Sequence, residues 1–326
     1  MFSKESSAGT ESLLPAISEE PSLGNLTVRN ILCPVDFPEF SLRALKYAVC
    51  LSRYFGSQLY VQNTLETTKG EFAAVTNDLA THERLHTELN RAGAEVCRLA
   101  DLPEVHTLVD EGCAEERILR SIKDHRIDLV VMGTHGHRGF NRFVLGSVTE
   151  RIVHEATCPV LVVCRPQKDF VSPEELEPVH LKTILVAIDF SPASGHTLAY
   201  ALRWASEWSG KVILLHVVEK IPAAMMGRVD LFPEYNPYFE RQVAEAWATI
   251  DKLVPELANR RCEVSYEVCH GNAKEEILQF AEENKVDLIV MRSKGLGKTA
   301  VTWGSTLSGV VRDGHFPVLA VRHVGD

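Results

Sequence analysis

The chain has 326 residues, 45% of them hydrophobic and 24% charged, with a formal net charge of −10. That balance suits a globular protein with two ordinary cores and argues against general affinity for nucleic acid or an anionic membrane. No apolar run approaches the ~18 residues of a spanning helix, and the opening MFSKESSAGTESLLPAISEE lacks the basic start and apolar core of a secretory signal.

Residues 1–26 read as a disordered tail. Residues 30–35 form a short apolar run and predict a buried strand. Ser41 is placed to cap the helix that follows, with Leu42, Leu45, Ala48 and Val49 on one apolar stripe and Gly56 at its end. A strand at 58–62, a polar helical stretch at 72–92 and a strand at 105–110 come next. The helix at 115–125 turns Ile118, Leu119 and Ile122 inward, and Glu115 and Glu116 read as first-turn acids. A strand at 129–132 leads through a glycine-bearing loop to a helix carrying Val148, Ile152 and Val153, then to a strand at 159–163. Residues 166–180 are polar with three prolines (Pro166, Pro173, Pro178) and read as a linker between domains at 27–165 and 181–326.

The second half follows the same order. Strands are predicted at 183–188, 211–217, 263–268, 288–291 and 317–321, with helices at 194–208, 238–260 and 273–284 and first-turn acids Glu275 and Glu276. The segment 221–237, rich in Met, Pro and aromatics, reads as a loop beside the second sheet, with a lid or interaction patch as the alternative.

The two halves are copies. DLVVM (128–132) returns as DLIVM (287–291), CPVLVV (158–163) as FPVLAV (316–321), and ILCPVDF (31–37) as ILVAIDF (184–190). The offsets are 159, 158 and 153 residues (287 against 128, 317 against 159, 189 against 36), the length of a domain and not of a solenoid unit. Strands alternating with helices imply α/β architecture: two tandem open parallel sheets of Rossmann-like type with helices on both faces. Ligands of such sheets sit beyond the carboxyl ends of the strands at the switch point. The ends of strands one and four, Pro34 to Asp36 and Met132 to Gly136, therefore matter most.

Those ends carry the chemistry. Gly133, two residues, Gly136, nine residues, then Gly146-Ser147 link a buried strand to a helix start. Glycines there let backbone amides approach an anion, and a helix N-terminus supplies unpaired amides and a favourable dipole. Ser147 and Thr149 add hydroxyls, while His135, His137, Arg138 and Arg142 add donors or positive charge. The pattern is neither the G-x-x-x-x-G-K-S/T of P-loop proteins nor the G-x-G-x-x-G of dinucleotide sites. Asp36 is either a loop acid near the helix or a partner for ribose, base or magnesium. His135 and His137 have no further ligand at metal spacing, so no metal site is assigned. The eight cysteines include no C-x-x-C, and several lie in apolar strands, as expected of reduced buried thiols.

A strand ending in Asp, with a late G-x2-G-x9-G-S before CPVLVV, resembles the universal stress protein family in its tandem two-domain form. The resemblance implies an adenine-nucleotide-binding fold (adenine-nucleotide α-hydrolase-like) whose two domains pair through their last strands, 159–163 and 317–321, and it is compatible with a homodimer of tandem chains. It implies ATP as ligand, with Mg2+ as its counter-ion. It places Asp36 at the adenosine end, Asn63 at the end of strand two, Met132 and Gly133 beside ribose or phosphates, and Gly136, Gly146, Ser147 and Val148 in a phosphate cradle.

The second repeat departs from this pattern. Arg292 replaces the first glycine, and eight residues, not nine, separate Gly295 from Gly304. Asp189, Val217, Lys298, Gly304 and Ser305 remain as second-site candidates. Either the site is weakened or empty, or Arg292 and the lysines hold an anion differently. Three functional readings follow: a cytoplasmic ATP-binding regulator in stress response with an unknown protein partner, a slow ATPase, or a scaffold with structural nucleotide. The second lacks a motif-placed general base. An AMP-forming ligase is disfavoured because no HIGH-like signature stands at strand one.

Overall fold

The computed structural model describes residues 26–36, 39–65, 87, 105–134, 146–164, 169–171, 179–191, 194–219, 237–257, 262–293 and 305–322. The described residues form two compact units. The first takes residues 27–180 together with 311–324, and the second takes 181–310 with chain-terminal segments.

In the first unit, β1 (Asn30–Pro34), α1 (Glu39–Phe55), β2 (Gln58–Leu65), β3 (Val105–Glu111), α2 (Ala114–Asp124), β4 (Leu129–Gly133), α3 (Ser147–Glu155) and β5 (Val160–Val163) follow one another. The predicted helix at 72–92 lies outside the described residues apart from Thr87. The strands order as β3-β2-β1-β4-β5, all parallel, so the chain reverses its direction of travel between β1 and β4. A last strand, β10 (Val318–Val321), closes this unit antiparallel to β5, with Val318 opposite Val162 and Ala320 opposite Val160. Cys164 Sγ donates to Phe316 O (3.0 Å), and the Arg322 guanidinium donates to the carbonyls of His154 and Ala156, fastening the added strand at both ends.

The second unit contains β6 (Thr183–Ala187), α4 (Ser194–Glu207), β7 (Lys211–Glu219), α5 (Pro237–Leu257), β8 (Glu263–Gly271), α6 (Ala273–Glu283), β9 (Leu288–Arg292) and the start of α7 (Ser305–Asp313). Its parallel order is β9-β6-β7-β8. Central strands carry continuous apolar runs because helices cover both faces. Ile31, Leu32, Leu129, Val130 and Val131 are fully buried, as are Ile184, Leu185, Leu288 and Ile289.

The repeats share more than their strands. Asp128 Oδ2 accepts from the amides of Arg29 and Asn30 (2.8 and 3.0 Å), and Asp287 Oδ2 accepts from those of Lys182 and Thr183 (2.8 and 2.9 Å). The aspartate of DLVVM and DLIVM thus anchors the start of the neighbouring first strand. Left-handed residues also match: Arg126 with Lys285, and Gly56 with Ser209, each with φ between 49 and 67°.

Two expectations are corrected. Helix α1 begins at Glu39, so Ser41 lies inside it and is no cap; its Oγ accepts the Asp36 amide (3.4 Å). Of the predicted stripe, Leu45, Ala48 and Val49 are buried, joined by the fully buried Ala44, Tyr47 and Leu51, whereas Leu42 is 43% exposed. The apolar stripe therefore holds without Leu42 and is wider than the spacing from Leu42 implied. The first-turn acids Glu115, Glu116, Glu275 and Glu276 do sit at helix starts.

Candidate functional site

The parallel order brings the carboxyl ends of β1, β2 and β4 together in the first unit. Pro34 pairs with Gln62, and Val35 N donates to Gln62 O (2.8 Å). Asn63, near the end of β2, is buried and donates from Nδ2 to Val35 O (2.8 Å). Its amide therefore holds the turn that carries Asp36.

On the other side, Met132 and Gly133 end β4, both buried. The loop from 135 to 145, with His135, Gly136 and Arg138, lies outside the described residues. Both ends of that loop are pinned: Gly146 N donates to Thr134 O (2.9 Å), and Thr149 Oγ1 donates to Gly133 O (2.8 Å). The Thr149 proton is thus committed to backbone, and its work is to dock the helix start on the strand end. Gly146 is the N-cap of α3, with φ −63° and ψ 137°. Any residue adopts those angles, so backbone freedom does not require a glycine there. Gly146 has no side chain with which to cap α3, and among the described residues no side-chain cap is seen; Ser147 is exposed at its first turn and Val148 half-buried. A nine-residue helix whose N-cap is a glycine, held at the end of β4, is the kind of element whose first amides suit an anion.

The second unit uses the equivalent place differently. Asp189 Oδ1 accepts from Ser191 N (3.1 Å), from Ser191 Oγ (2.6 Å) and from Ser194 Oγ. Arg292, the last residue of β9, donates from Nη1 to Ser191 Oγ (3.3 Å). Burial raises the Asp189 pKa, but the two serine hydroxyls, the Ser191 amide and the Arg292 charge outweigh it, so the net direction is downward. Beside this cluster, Phe190 sits at φ 54°, an uncommon conformation for a bulky residue, and its ring lies 4.3 Å from that of His216. His216 Nδ1 contacts Ile188 O (2.9 Å), and burial, against that bond and the Asp189 charge, lowers its pKa. Val217 is half-buried on β7 opposite Cys269, and Ser305 begins α7. Gly295, Lys298 and Gly304 lie outside the described residues.

The Ser191, Ser194, Phe190 and His216 cluster is absent from the sequence-based candidates. The signal available was the pair of serines two and five residues after Asp189, where the first copy keeps only Ser41. Among the described cysteines, Cys33, Cys50, Cys158 and Cys164 are buried; burial raises the Cys33 thiol and pushes Cys50 to about 11 and Cys158 and Cys164 to about 12. These thiols are inert at neutral pH.

Comparison with known proteins agrees with the duplicated fold. A family model described as the universal stress protein family matches residues 27–164 and again 180–322. A universal stress protein of Methanocaldococcus jannaschii is 33% identical over 150 residues, covering 45% of this chain and 88% of that protein. Universal stress protein A homolog 1 of Coxiella burnetii is 28% identical over 139 residues, covering 41% of this chain and 95% of that protein. The crystal structure of a universal stress protein from Archaeoglobus fulgidus superposes with a TM-score of 0.60 at 20% identity, covering 92% of this chain and 98% of that one. The chain belongs to the universal stress protein family, with the family's domain present twice.

Proposed function

We propose that this tandem universal stress protein is a cytoplasmic regulator of stress response that binds one ATP, with Mg2+, in its first repeat, the second-repeat site being degenerate. It acts by nucleotide-dependent conformation or assembly of an unidentified protein partner and not by turnover. The observation that carries this reading is the glycine-capped start of α3, held at the end of β4 by the Gly146–Thr134 and Thr149–Gly133 bonds. Asp36, on the neighbouring turn, would meet the adenosine end; Gly133, Gly136, Gly146, Ser147 and Val148 would meet the phosphates, with His135 and Arg138 beside them. Magnesium would offset phosphate charge in a chain that is itself acidic. In the second repeat, Arg292 stands where the first glycine would be, and Asp189 is taken up by its own serines.

Calorimetric titration with ATP and magnesium tests this. One site per chain, lost in Gly146→Asp, is the expected result. Two equal sites would overturn the assignment of the second repeat, and no heat in the wild type would overturn the nucleotide reading.

A further inference from the structure

Part of the polar segment between the repeats is built into the first unit. Asp169 accepts from the Tyr47 hydroxyl at Oδ1 (2.6 Å), from Arg43 Nε at Oδ1 (3.3 Å), and from Arg43 Nη2 at Oδ2. Phe170 is fully buried, its ring edge-on to Tyr47 at 5.0 Å, and Val171 is buried beside it. Phe170 O accepts from His180 N (2.7 Å), which returns the chain to the same unit after 172–178. Tyr47 is fully buried in the sheet-facing stripe of α1, and burial followed by Asp169 drives its phenol above the ordinary range, so it remains a donor.

Both partners of Asp169 lie on α1, and so does the group that holds the Asp36 turn. Ser41 is buried, its hydroxyl accepts the Asp36 amide, and Arg43 and Tyr47 follow within two turns on the same helix. A helix is stiff over this length, and packed interiors resist continuous deformation. We infer that Asp169–Val171 is a strap that fixes the register of α1 and thereby positions the Asp36 turn, making the inter-repeat segment a positioning element of the first-repeat site. The bidentate Arg43–Asp169 pair sets direction, the buried Tyr47–Phe170 contact sets depth, and the strap joins the end of α1 nearest the site to the chain entering the second repeat. The structural part stands without a ligand; the consequence for affinity rests on the ATP reading above.

Hydrogen exchange by mass spectrometry on the full chain tests this, with Asp169→Ala as the strong variant and Tyr47→Phe as the mild one that keeps the ring and the fold. The strap requires exchange to rise about tenfold or more over 169–180 and also over 30–45, with β5 and the β6–β8 peptides unchanged. Faster exchange confined to 169–180, or an equal rise across every strand of the first unit, would overturn it. If Asp169→Ala does not fold, the same pattern at smaller amplitude in Tyr47→Phe decides. Where the wild type binds ATP, Tyr47→Phe weakens that binding about fivefold or more, and unchanged affinity would remove the positioning role. A wild type that binds no ATP would sink the nucleotide reading, while the exchange pattern would still decide the strap.

Discussion

The two repeats share a strand-one aspartate, and the bonds described around it differ. In the first, Asp36 follows a turn held from behind by Asn63 and Ser41, through bonds to the backbone of Val35 and Asp36. In the second, the aspartate itself is the hub: Asp189 gathers Ser191 and Ser194, and Arg292 reaches the same serine from the next strand. Around Asp36 the described bonds reach the main chain; around Asp189 they reach the carboxylate itself. Duplication thus preserves the scaffold, down to the Asp128 and Asp287 anchors, while the switch point diverges. A site is a local property of a fold.

Substitutions sharpen this contrast. The largest effect is expected from Gly146→Asp, which sets a carboxylate at the start of α3: ATP affinity should fall more than about 100-fold, with thermal stability little changed, because like charges brought together cost several kcal/mol. Affinity within tenfold of wild type, by calorimetry, would place the phosphates elsewhere. Next, Asp189→Ala strips a half-buried hub and leaves the Ser191 and Ser194 hydroxyls without the carboxylate that accepts from them. Urea unfolding should show about 2–3 kcal/mol lost from the second unit, and a loss below half a kcal/mol would make the cluster incidental.

Thr149→Val keeps shape but deprives Gly133 O of its donor. About 1–2 kcal/mol of stability should go, with weaker ATP binding as the start of α3 loosens; an unchanged chevron and an unchanged affinity would contradict the docking role. The smallest effect concerns pH. Burial lowers the His216 pKa below its usual 6.5, so the unfolded chain takes up a proton that the folded chain refuses. Stability therefore rises with pH across that window and declines as pH falls below about 6.5. His216→Gln should flatten this slope in denaturant titrations between pH 7 and 5, and an identical slope would assign the dependence to other groups.

The sequence carried the architecture because burial repeats regularly. Each central strand is a continuous apolar run, and the same strings recur at domain spacing, so element order and parallel pairing follow from pattern alone. Boundaries shifted by a residue or two where caps and turns decide, as at α1, where the helix starts before Ser41. Leu42 misled because an apolar residue on a helix is not obliged to face inward; Tyr47, read past, faces inward completely. Contacts far apart in sequence were not legible. Tyr47 and Asp169 are separated by 122 residues, and nothing in the polar composition of 166–180 marks one aspartate and one phenylalanine as docked. The left-handed Arg126 and Lys285 were also hidden, since neither is the glycine or asparagine that announces such a turn. At the site, glycine spacing pointed to the start of α3, but the commitment of Thr149 and Asn63 to backbone carbonyls depends on geometry that spacing does not encode.

The most direct test of the difference between the repeats is nucleotide stoichiometry. Purified chain would be denatured, the released nucleotide identified by mass, and its molar ratio to protein measured for wild type, Gly146→Asp and Arg292→Gly. The account predicts about one ATP per chain in the wild type, none in Gly146→Asp, and at most weak added binding in Arg292→Gly, because the Asp189 network remains. Two ATP per chain in the wild type, or one that survives Gly146→Asp and disappears in Arg292→Gly, would contradict it.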